Sequence, residues 1–209
     1  MNIIISGPQG SGKGTQAKML AERYGYLHLD NGSMLRKIAA NDEEIRNLLD
    51  SGNLVPDKKM LALMDIYLSD TYGKYENIIF DGFPRTTDQY IELKKWLTEK
   101  NQHVDNAVVL TISEDETIRR LSARRVHKTT GEIYNLITKV PPEDVTEDDL
   151  VQREDDKPDS IRKRLTLFNE KTKPLFELYK NDGILVEVNG EQSIEDIFSE
   201  IEHKLNLKN

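Results

Sequence analysis

The chain contains no cysteine among its 209 residues, so disulfide bonds and thiolate metal ligands are excluded. It also lacks any run close to the roughly 18 consecutive apolar residues that a membrane-spanning helix needs. Its first residues, Met1 to Ile5, lead directly into a glycine turn, without the basic start, long apolar stretch and cleavage site of a signal peptide. We therefore expect a cytoplasmic protein with no membrane partner.

Positive charge is also scarce, because 29 Lys and Arg residues face 37 Asp and Glu residues, for a formal net charge of −8. An acidic chain is a poor general binder of nucleic acid, whose backbone rewards clustered basic residues. We therefore expect no nucleic-acid partner. Several of the basic residues are nevertheless concentrated in two short stretches, at 119–128 and 153–164.

The composition and periodicity indicate one α/β domain spanning residues 1–209. Hydrophobic residues make up 37% of the chain, which is enough to bury a core. Short apolar strands are predicted at 2–6, 27–30, 77–81, 107–112 and 184–188. Helical spacing predicts helices at 14–24, 33–40, 43–50, 57–71, 87–100, 114–125, 160–180 and 193–207. Such alternation is typical of a parallel sheet covered on both faces.

Two segments depart from this simple alternation. The long helix predicted at 160–180 contains Pro174, which should kink it or mark the start of a helix. Residues 126–152 contain Thr129-Thr130-Gly131 and Pro141-Pro142 but few large apolar side chains. This segment is therefore predicted to be a small β-rich excursion from the core.

The strongest local signal is the segment Gly7-Pro8-Gln9-Gly10-Ser11-Gly12-Lys13-Gly14-Thr15. It lies between a predicted strand and a predicted helix, which is the context that a phosphate-binding loop requires. Glycines let consecutive backbone N–H groups surround a phosphate, and Lys13 can bridge the terminal phosphates. A glycine-rich turn that binds nothing is the alternative. Gly14 takes the usual hydroxyl position and Thr15 follows it, so the loop predicts a nucleoside triphosphate site without specifying a reaction.

A second motif, Asp81-Gly82-Phe83-Pro84-Arg85-Thr86, follows the strand predicted at 77–81. Ligands of parallel α/β sheets lie beyond the carboxyl ends of the strands, so this motif and the phosphate loop share one edge. Asp81 could order Mg²⁺ or its waters, and Arg85 could form paired hydrogen bonds to a phosphate. Taken alone, the motif could also be an ordinary tight turn after a strand.

The two motifs together closely resemble those of the adenylate kinases, within the nucleoside monophosphate kinase family. The resemblance runs from Ile3 to about Asn189. The further ordered matches are Gly32-x-Met34-Leu35-Arg36, Gly52-x-Leu54-Val55, Arg124-Arg125-Val126-His127, Gly131-x-x-Tyr134-Asn135, Pro141-Pro142, Asp144-Val145-Thr146, Arg153-x-Asp155-Asp156 and Arg162-Lys163-Arg164-Leu165. The resemblance implies reversible, Mg²⁺-dependent phosphoryl transfer from ATP to AMP, with ATP and AMP as the small-molecule partners and a monomer as the expected state.

The implied fold is a P-loop parallel β-sheet flanked by helices, with two mobile insertions. A helical insertion at about 30–59 would bind the monophosphate, and a small β-rich lid at about 123–156 would cover ATP. Many members of the family hold zinc with four lid cysteines, which this chain lacks. We expect no zinc, and instead a hydrogen-bonded polar cluster in the lid. The positions of that cluster are His127, Thr130, Glu143 or Asp144, and Thr146.

The resemblance also implies a role for individual residues, on the positions that match the family's motifs. The implied ATP-binding residues are Gly10, Ser11, Gly12, Lys13, Gly14, Thr15, Arg120, Arg124, Ile133, Tyr134 and Gln192. The implied acceptor-binding residues are Asn31, Arg36, Asn53, Leu54, Val55, Gly82, Phe83, Pro84, Arg85, Gln89, Arg153 and Arg164. The implied catalytic residues are Lys13, Asp81, Arg85, Arg124, Arg153 and Arg164.

Phosphoryl transfer chemistry fits this set of cations. The transition state is loose and spreads charge over equatorial oxygens, so catalysis consists mainly of positioning and cation placement. The acceptor phosphate is already an oxyanion and needs no dedicated base. Phosphate binding would explain the two basic stretches of this acidic chain. The ordinary alternative is that these arginines lie on solvent-exposed faces of helices. Mg²⁺ would be bound mainly through phosphates and water.

Departures from the family pattern at two places bear on the nucleotide sites. The stretch that usually reads Ser-Thr-Gly-Asp is Asp30-Asn31-Gly32-Ser33 here. The usual threonine helps to recognise AMP, and the usual aspartate is thought to order water around Mg²⁺. Gln192 replaces a lysine that often meets the ATP base region, whereas Gln89 matches the residue that reads adenine.

Other interpretations remain open from the sequence. The acceptor could be CMP, UMP or GMP, although the long lid favours adenylate kinase over UMP/CMP kinase. A non-catalytic nucleotide-binding module would not need Lys13, Asp81 and the core arginines. A GTPase switch is disfavoured, because no Asn-Lys-x-Asp motif occurs.

Overall fold

A computed structural model of the chain describes residues 1–50, 55–153 and 156–207. Its centre is a five-stranded parallel sheet with the order β2-β3-β1-β4-β8. The strands are β1 (Ile3–Ser6), β2 (Leu27–Asp30), β3 (Ile78–Asp81), β4 (Asn106–Thr111) and β8 (Leu185–Asn189). The predicted α/β class with a parallel sheet is confirmed. Because all five strands are parallel, the segments that follow their carboxyl ends gather at one edge.

Helices cover both faces of this sheet. Those of the core are α1 (Lys13–Tyr24), α5 (Thr87–Thr98), α6 (Glu114–Ser122), α7 (Pro158–Leu167), α8 (Leu175–Asn181) and α9 (Ile194–Lys204). One apolar cluster packs α1 and α9 against side chains such as Ile3 and Ile79, and a larger one packs α5 and α8 against Ile4 and Phe80. Alternate residues of β1 thus point to opposite faces. Because helices cover both faces, every residue along this strand is buried, and the strands are continuous apolar runs. None of the helices in the described ranges combines the length and apolar surface that crossing a bilayer requires.

Two segments extend from the core. After β2 the chain forms α2 (Asn31–Ala39), α3 (Glu43–Asp50) and α4 (Asp57–Thr71). The predicted β-rich excursion is a small antiparallel sheet of β5 (Arg124–His127), β6 (Ile133–Asn135) and β7 (Leu150–Val151), ordered β6-β5-β7. A 3₁₀ turn at Glu147–Asp149 precedes β7.

Two of the differences between predicted and observed helices have a clear physical cause. The stretch predicted at 160–180 is divided into α7, a π-helical turn at Phe168–Thr172 and α8. Pro174 is the N-cap of α8, which confirms that it marks a helix start, because proline has no N–H to donate within a helix. The helix predicted to reach residue 125 ends at Ser122. Arg124 and Arg125 lie in β5 instead, since pairing with β6 overrides their helix propensity.

Candidate active site

The phosphate loop connects β1 to α1 along a path that favours glycines. Gly7 and Gly12 have φ angles of 141° and 94°. A Cβ on Gly7 would lie 2.4 Å from the carbonyl oxygen of Leu110, and one on Gly10 would lie 3.2 Å from Leu121 Cγ. The loop is therefore pressed between β4 and α6. It presents backbone N–H groups at the N-terminus of α1, an arrangement suited to an anion.

Lys13 folds back over this loop. Its Nζ donates to the carbonyl oxygens of Gly7 and Pro8, both at 2.8 Å. Burial is the main cause that lowers the pKa of Lys13 to about 8; Asp81 opposes that shift, and Arg85, Arg164 and Arg124 add to it. Three of the predicted catalytic arginines thus lie close enough to Lys13 to repel its charge.

Polar atoms of the loop region point to a polar ligand. Ser11 Oγ and Gln9 Oε1 are buried and have no hydrogen-bond partner within the described residues. Buried polar groups are normally satisfied, so each such atom calls for an explanation. A bound triphosphate, with its waters, would supply the missing partners. Thr15, half-buried in the first turn of α1, completes the predicted ATP segment.

Asp81 ends β3 beside the phosphate loop. It is 8% exposed, and its Oδ2 lies 3.1 Å from His28 Nε2 on the neighbouring strand β2. A Cβ on Gly14 would lie 3.3 Å from the same oxygen. This contact explains why glycine occupies the position where phosphate loops usually carry a hydroxyl. His28 is not among the predicted site residues. The signal that could have identified it is the parallel register, which pairs residue 28 with residue 79 and leaves His28 within reach of Asp81.

The segment that follows Asp81 holds Arg85 by its backbone and its Nε. Gly82 has a φ of 80°, and Phe83 and Pro84 are buried. The Arg85 N–H donates to Gln89 Oε1 at 2.7 Å, and Arg85 Nε donates to the Gly82 carbonyl at 2.8 Å. The Arg85 carbonyl accepts from Thr172 Oγ1 at 2.9 Å. Arg85 is therefore fixed from both sides of its backbone.

Gln89 and Thr172 both contact the Arg85 loop, and neither contact could be predicted from the sequence. The amide oxygen of Gln89, the residue predicted to read adenine, stabilises the Arg85 loop in this structure. Thr172 reaches the same loop from the π-helical turn. A π-turn rotates the following residues relative to a regular helix, so helical periodicity does not predict the Thr172 contact.

Asp156 joins two of the predicted catalytic arginines. Its side chain is fully buried. It accepts from Arg124 Nε at 2.7 Å and Arg124 Nη2 at 2.5 Å, and Arg164 Nη1 lies 3.4 Å from its Oδ1. Arg124 belongs to β5 and Arg164 to α7, so one carboxylate brings cations from two distant segments together. Asp156 is not among the predicted site residues, although it belongs to a matching motif.

Arg153 lies just before this carboxylate. It is half-buried, and its carbonyl oxygen accepts the Asp156 N–H at 3.0 Å. Residues 154 and 155 are not among those that the structure describes.

The residues predicted near the ATP base lie on α6, the small sheet and the turn before α9. Arg120 is almost buried, and its Nε donates to Glu116 Oε1 at 2.5 Å. Hydrogen bonds from Arg119 and then Arg120 lower the pKa of Glu116 to about 2. The Arg120 carbonyl accepts from Asn135 Nδ2, which ties α6 to β6.

The other residues predicted near the ATP base differ in their exposure to solvent. Ile133 is exposed, whereas Tyr134 is buried with its hydroxyl 3.1 Å from Glu132 Oε2. Gln192 Nε2 donates to the Asn189 carbonyl at 3.1 Å and to Glu200 Oε2 at 2.6 Å. A Cβ on Gly190 would lie 3.4 Å from the Ser11 carbonyl oxygen, so the segment that carries Gln192 packs against the phosphate loop.

The predicted acceptor residues lie in the helical segment after β2. Asn31 is 2% exposed, and both atoms of its amide lack a hydrogen-bond partner within the described ranges. Arg36 Nη2 donates to Ser33 Oγ at 3.0 Å. Val55 is buried in the larger apolar cluster. Asn53 and Leu54 lie outside the described residues.

The polar cluster expected in the lid occurs as two separate groups. His127 Nδ1 accepts from the backbone N–H groups of Thr129 and Thr130, at 3.2 Å each. The N–H and hydroxyl of Thr146 donate to Asp149 Oδ2, at 2.9 and 2.7 Å. Glu143 and Asp144 are exposed. Across residues 1–50, 55–153 and 156–207, no group of three or more His, Asp or Glu side chains is placed to hold a metal ion.

Comparison with known proteins shows which family this chain resembles in sequence. The family model described as adenylate kinase matches residues 5–184. An adenylate kinase from Salinibacter ruber is 39% identical, over 98% of each chain. One from Chloroherpeton thalassium is 38% identical, also over 98% of each chain, and one from Streptococcus sanguinis is 35% identical over the full length of both.

Proposed function

The chain belongs to the adenylate kinase family, and from that premise we propose how its side chains divide the reaction ATP + AMP ⇌ 2 ADP. The chain is an ATP:AMP phosphotransferase. The observation that carries the division of roles is the set of cations around Lys13. Arg85, Arg124 and Arg164 each affect its pKa, although they belong to three different segments.

ATP is held by the phosphate loop. Backbone N–H groups between Gly10 and Thr15 surround its phosphates, and Lys13 contacts the phosphoryl group that is transferred. Arg120 packs against the adenine, with Ile133, Tyr134 and Gln192 on the same side. The hydrogen bond from Arg120 Nε to a Glu116 carboxylate oxygen supports this role, because an in-plane hydrogen bond leaves the faces of the guanidinium available for stacking.

Mg²⁺ fits the carboxylate at the end of β3. Mg²⁺ is usually bound through one or two carboxylates together with substrate phosphates and water, and the buried Asp81 lies beside the loop that would hold those phosphates. Asp81 would hold the ion or its waters, with His28 fixing the orientation of the carboxylate. The ion, when bound, neutralises charge on the phosphates.

AMP is held by the segment at 30–59 and by the Arg85 loop. Arg36 and Arg85 bind its phosphate, and Asn31, Gln89 and the 53–55 segment surround its base. The unpartnered buried amide of Asn31 supports a ligand at this position, because an amide offers a donor and an acceptor side by side, which matches the N6 and N7 edge of adenine.

Transfer then depends on cations that are fixed before the substrates meet. Arg124, Arg153 and Arg164 stabilise the charge on the moving phosphoryl group, and Asp156 fixes two of them. Preorganised groups of this kind need no reorientation during the reaction. The small sheet, in the segment 123–156, acts as a lid that excludes water and prevents hydrolysis of ATP. A monomeric state and a cytoplasmic location complete the proposal.

Initial rates of ADP formation test the acceptor and the chemistry together. We expect the largest kcat/KM with AMP among AMP, CMP, UMP and GMP, and little phosphate release when no acceptor is present. Faster turnover of CMP or UMP than of AMP would contradict the assignment of the acceptor. Rapid hydrolysis without an acceptor would contradict the closing role of the 123–156 segment.

A further inference from the structure

A carboxylate and a hydroxyl pair with each other at the start of α2. Asp30 Oδ1 accepts the backbone N–H of Ser33 at 3.1 Å, and Asp30 Oδ2 accepts the Ser33 hydroxyl at 2.5 Å. Burial alone would raise the pKa of Asp30, but the hydrogen bonds from Ser33 and the charge of Arg36 outweigh it, and the pKa is lowered. Asp30 is therefore an ionised N-cap, and the positive end of the α2 dipole stabilises its negative charge.

The order of the two groups is opposite to that found elsewhere in the chain. At α9, Ser193 is the N-cap and Asp196 lies three residues later, with Ser193 Oγ donating to Asp196 Oδ2 at 2.7 Å. At the 3₁₀ turn, a threonine N-cap and an aspartate have the same order. At the start of α2 the carboxylate comes first and the hydroxyl last, and the two side chains are again hydrogen-bonded.

The pair is connected to Arg36. Ser33 Oγ accepts from Arg36 Nη2 at 3.0 Å, and the same nitrogen lies 4.0 Å from Asp30 Oδ2. A Cβ on Gly32 would lie 3.1 Å from Arg36 Nη1 and 3.2 Å from Asp30 Oδ1, so glycine leaves room for this contact. Arg36 and Asp30 both affect the pKa of Arg85. The charge of Arg36 therefore lies close enough to Arg85 for the two to interact.

We propose that Asp30 and Ser33 are positioning residues for the acceptor, holding the Arg36 guanidinium in place for the phosphate of AMP. Asp30 orients the Ser33 hydroxyl, which donates to the carboxylate and therefore offers its lone pair to Arg36. The Arg36 side chain is about half exposed, and an unrestrained arginine loses considerable rotamer entropy when it binds an anion. Fixing it beforehand lowers that cost. The inference rests on the proposed role of Arg36 in binding AMP.

Single substitutions at the pair, with a matched control, give the first test of this proposal. KM for AMP, KM for ATP and kcat are measured for each variant. Ser33→Ala should raise KM for AMP about three- to tenfold, the effect of one lost hydrogen bond of ordinary strength on an exposed side chain, with kcat and KM for ATP nearly unchanged. Asp30→Ser should act in the same direction. Ser193→Ala removes the cap of a helix remote from Arg36 and should leave KM for AMP unchanged.

The double variant Asp30→Ser/Ser33→Asp gives the sharpest result. It preserves the net charge and restores a hydrogen-bonded pair in the opposite order. Its KM for AMP should therefore lie closer to that of the original chain than the KM of either single variant does, because only the simultaneous change keeps one carboxylate and one hydroxyl in the pair. Ser33→Asp alone places two carboxylates side by side and should raise KM for AMP.

Arg36→Ala separates failure of this inference from failure of the proposed function. If Arg36→Ala leaves KM for AMP unchanged, the proposed role of Arg36 is wrong. If Arg36→Ala raises that constant but Ser33→Ala does not, the positioning role is wrong. Adding Ser33→Ala to Arg36→Ala should have no further effect, and an additive effect would show that Ser33 acts independently of Arg36. A double exchange no better than its single variants would also overturn the proposal.

Discussion

The buried carboxylate of Asp156 gives the most direct test of how the arginines proposed to be catalytic are held. Replacing it with asparagine preserves its shape and removes its charge. The two hydrogen bonds from Arg124, at 2.7 and 2.5 Å, would lose their negative partner, and at most one of them would remain; Arg164 would lose a weaker contact at 3.4 Å. The side chains of Arg124 and Arg164 are only 15% and 23% exposed, so water would replace these contacts poorly.

The size of the effect follows from those contacts. A hydrogen bond to a charged group contributes about 1.5–3 kcal/mol, and the asparagine oxygen can still accept one of them. We therefore expect Asp156→Asn to cost about 2–3 kcal/mol of transition-state stabilisation, which corresponds to roughly a 30- to 160-fold lower kcat. KM for AMP should change less, because the hydrogen bonds described for Arg36 and Arg85 go to other groups.

The assay is kcat at saturating ATP and AMP, together with urea unfolding to confirm that the variant is folded. Asp159→Asn is a matched control, since Asp159 lies in the first turn of α7, is fully exposed and is 3.9 Å from Arg162. The control should retain kcat, because an exposed ion pair contributes little. A folded Asp156→Asn variant with kcat within about twofold of the original would refute the argument that this carboxylate positions the arginines.

Two further predictions concern lysines in different environments. The pKa of Lys13 is about 8 before ATP binds, and phosphates favour its protonated form, so ATP affinity should fall as pH rises above about 8, with proton uptake on binding. Calorimetry at about pH 8.5 in buffers of different ionisation enthalpy measures the proton uptake. An ATP affinity that is constant from about pH 7 to 9 would contradict the prediction. Lys100 Nζ lies 4.2 Å from the centre of the Tyr75 ring, 5.0 Å from that of Trp96 and 2.9 Å from Asp65 Oδ1, so Lys100→Met should lower the free energy of unfolding by about 1–2 kcal/mol without changing kcat. Fluorescence of Trp96, the single tryptophan, reports the urea midpoint, and an unchanged midpoint would exclude this stabilisation.

The sheet could be predicted from the sequence because two of its signals are local. The apolar strands stand out as short runs, and the motifs that follow Ser6 and Phe80 identify the edge at which ligands bind. The predicted boundary of α6 is wrong because Arg124 and Arg125 are good helix formers in isolation, and their strand depends on a partner that arrives at Ile133. Strand pairing is a tertiary effect that propensity does not contain.

The cations of the candidate site could be proposed from the sequence, whereas the carboxylates that hold them could not, and the reason is chemical. An arginine in a phosphate site is inferred from its affinity for the ligand, which the reaction supplies. The carboxylates contact the protein's own cations, and only the spacing of Glu116 and Arg120, four residues apart on one helix, indicates such a partner in the local sequence. The pairs are Glu116 with Arg120, Asp156 with Arg124 and Arg164, and Asp30 with Arg36.

These pairings also explain how an acidic chain can bind two anionic nucleotides. Isolated basic side chains at one sheet edge would repel each other and sample many rotamers. The carboxylates reduce that repulsion and help to fix the guanidinium groups, Asp156 two of them and Asp30 one through Ser33. The N–H groups of each guanidinium that do not contact a carboxylate stay available to a phosphate. The excess of negative charge is therefore compatible with phosphate binding, because part of it lies behind the arginines and determines where they point.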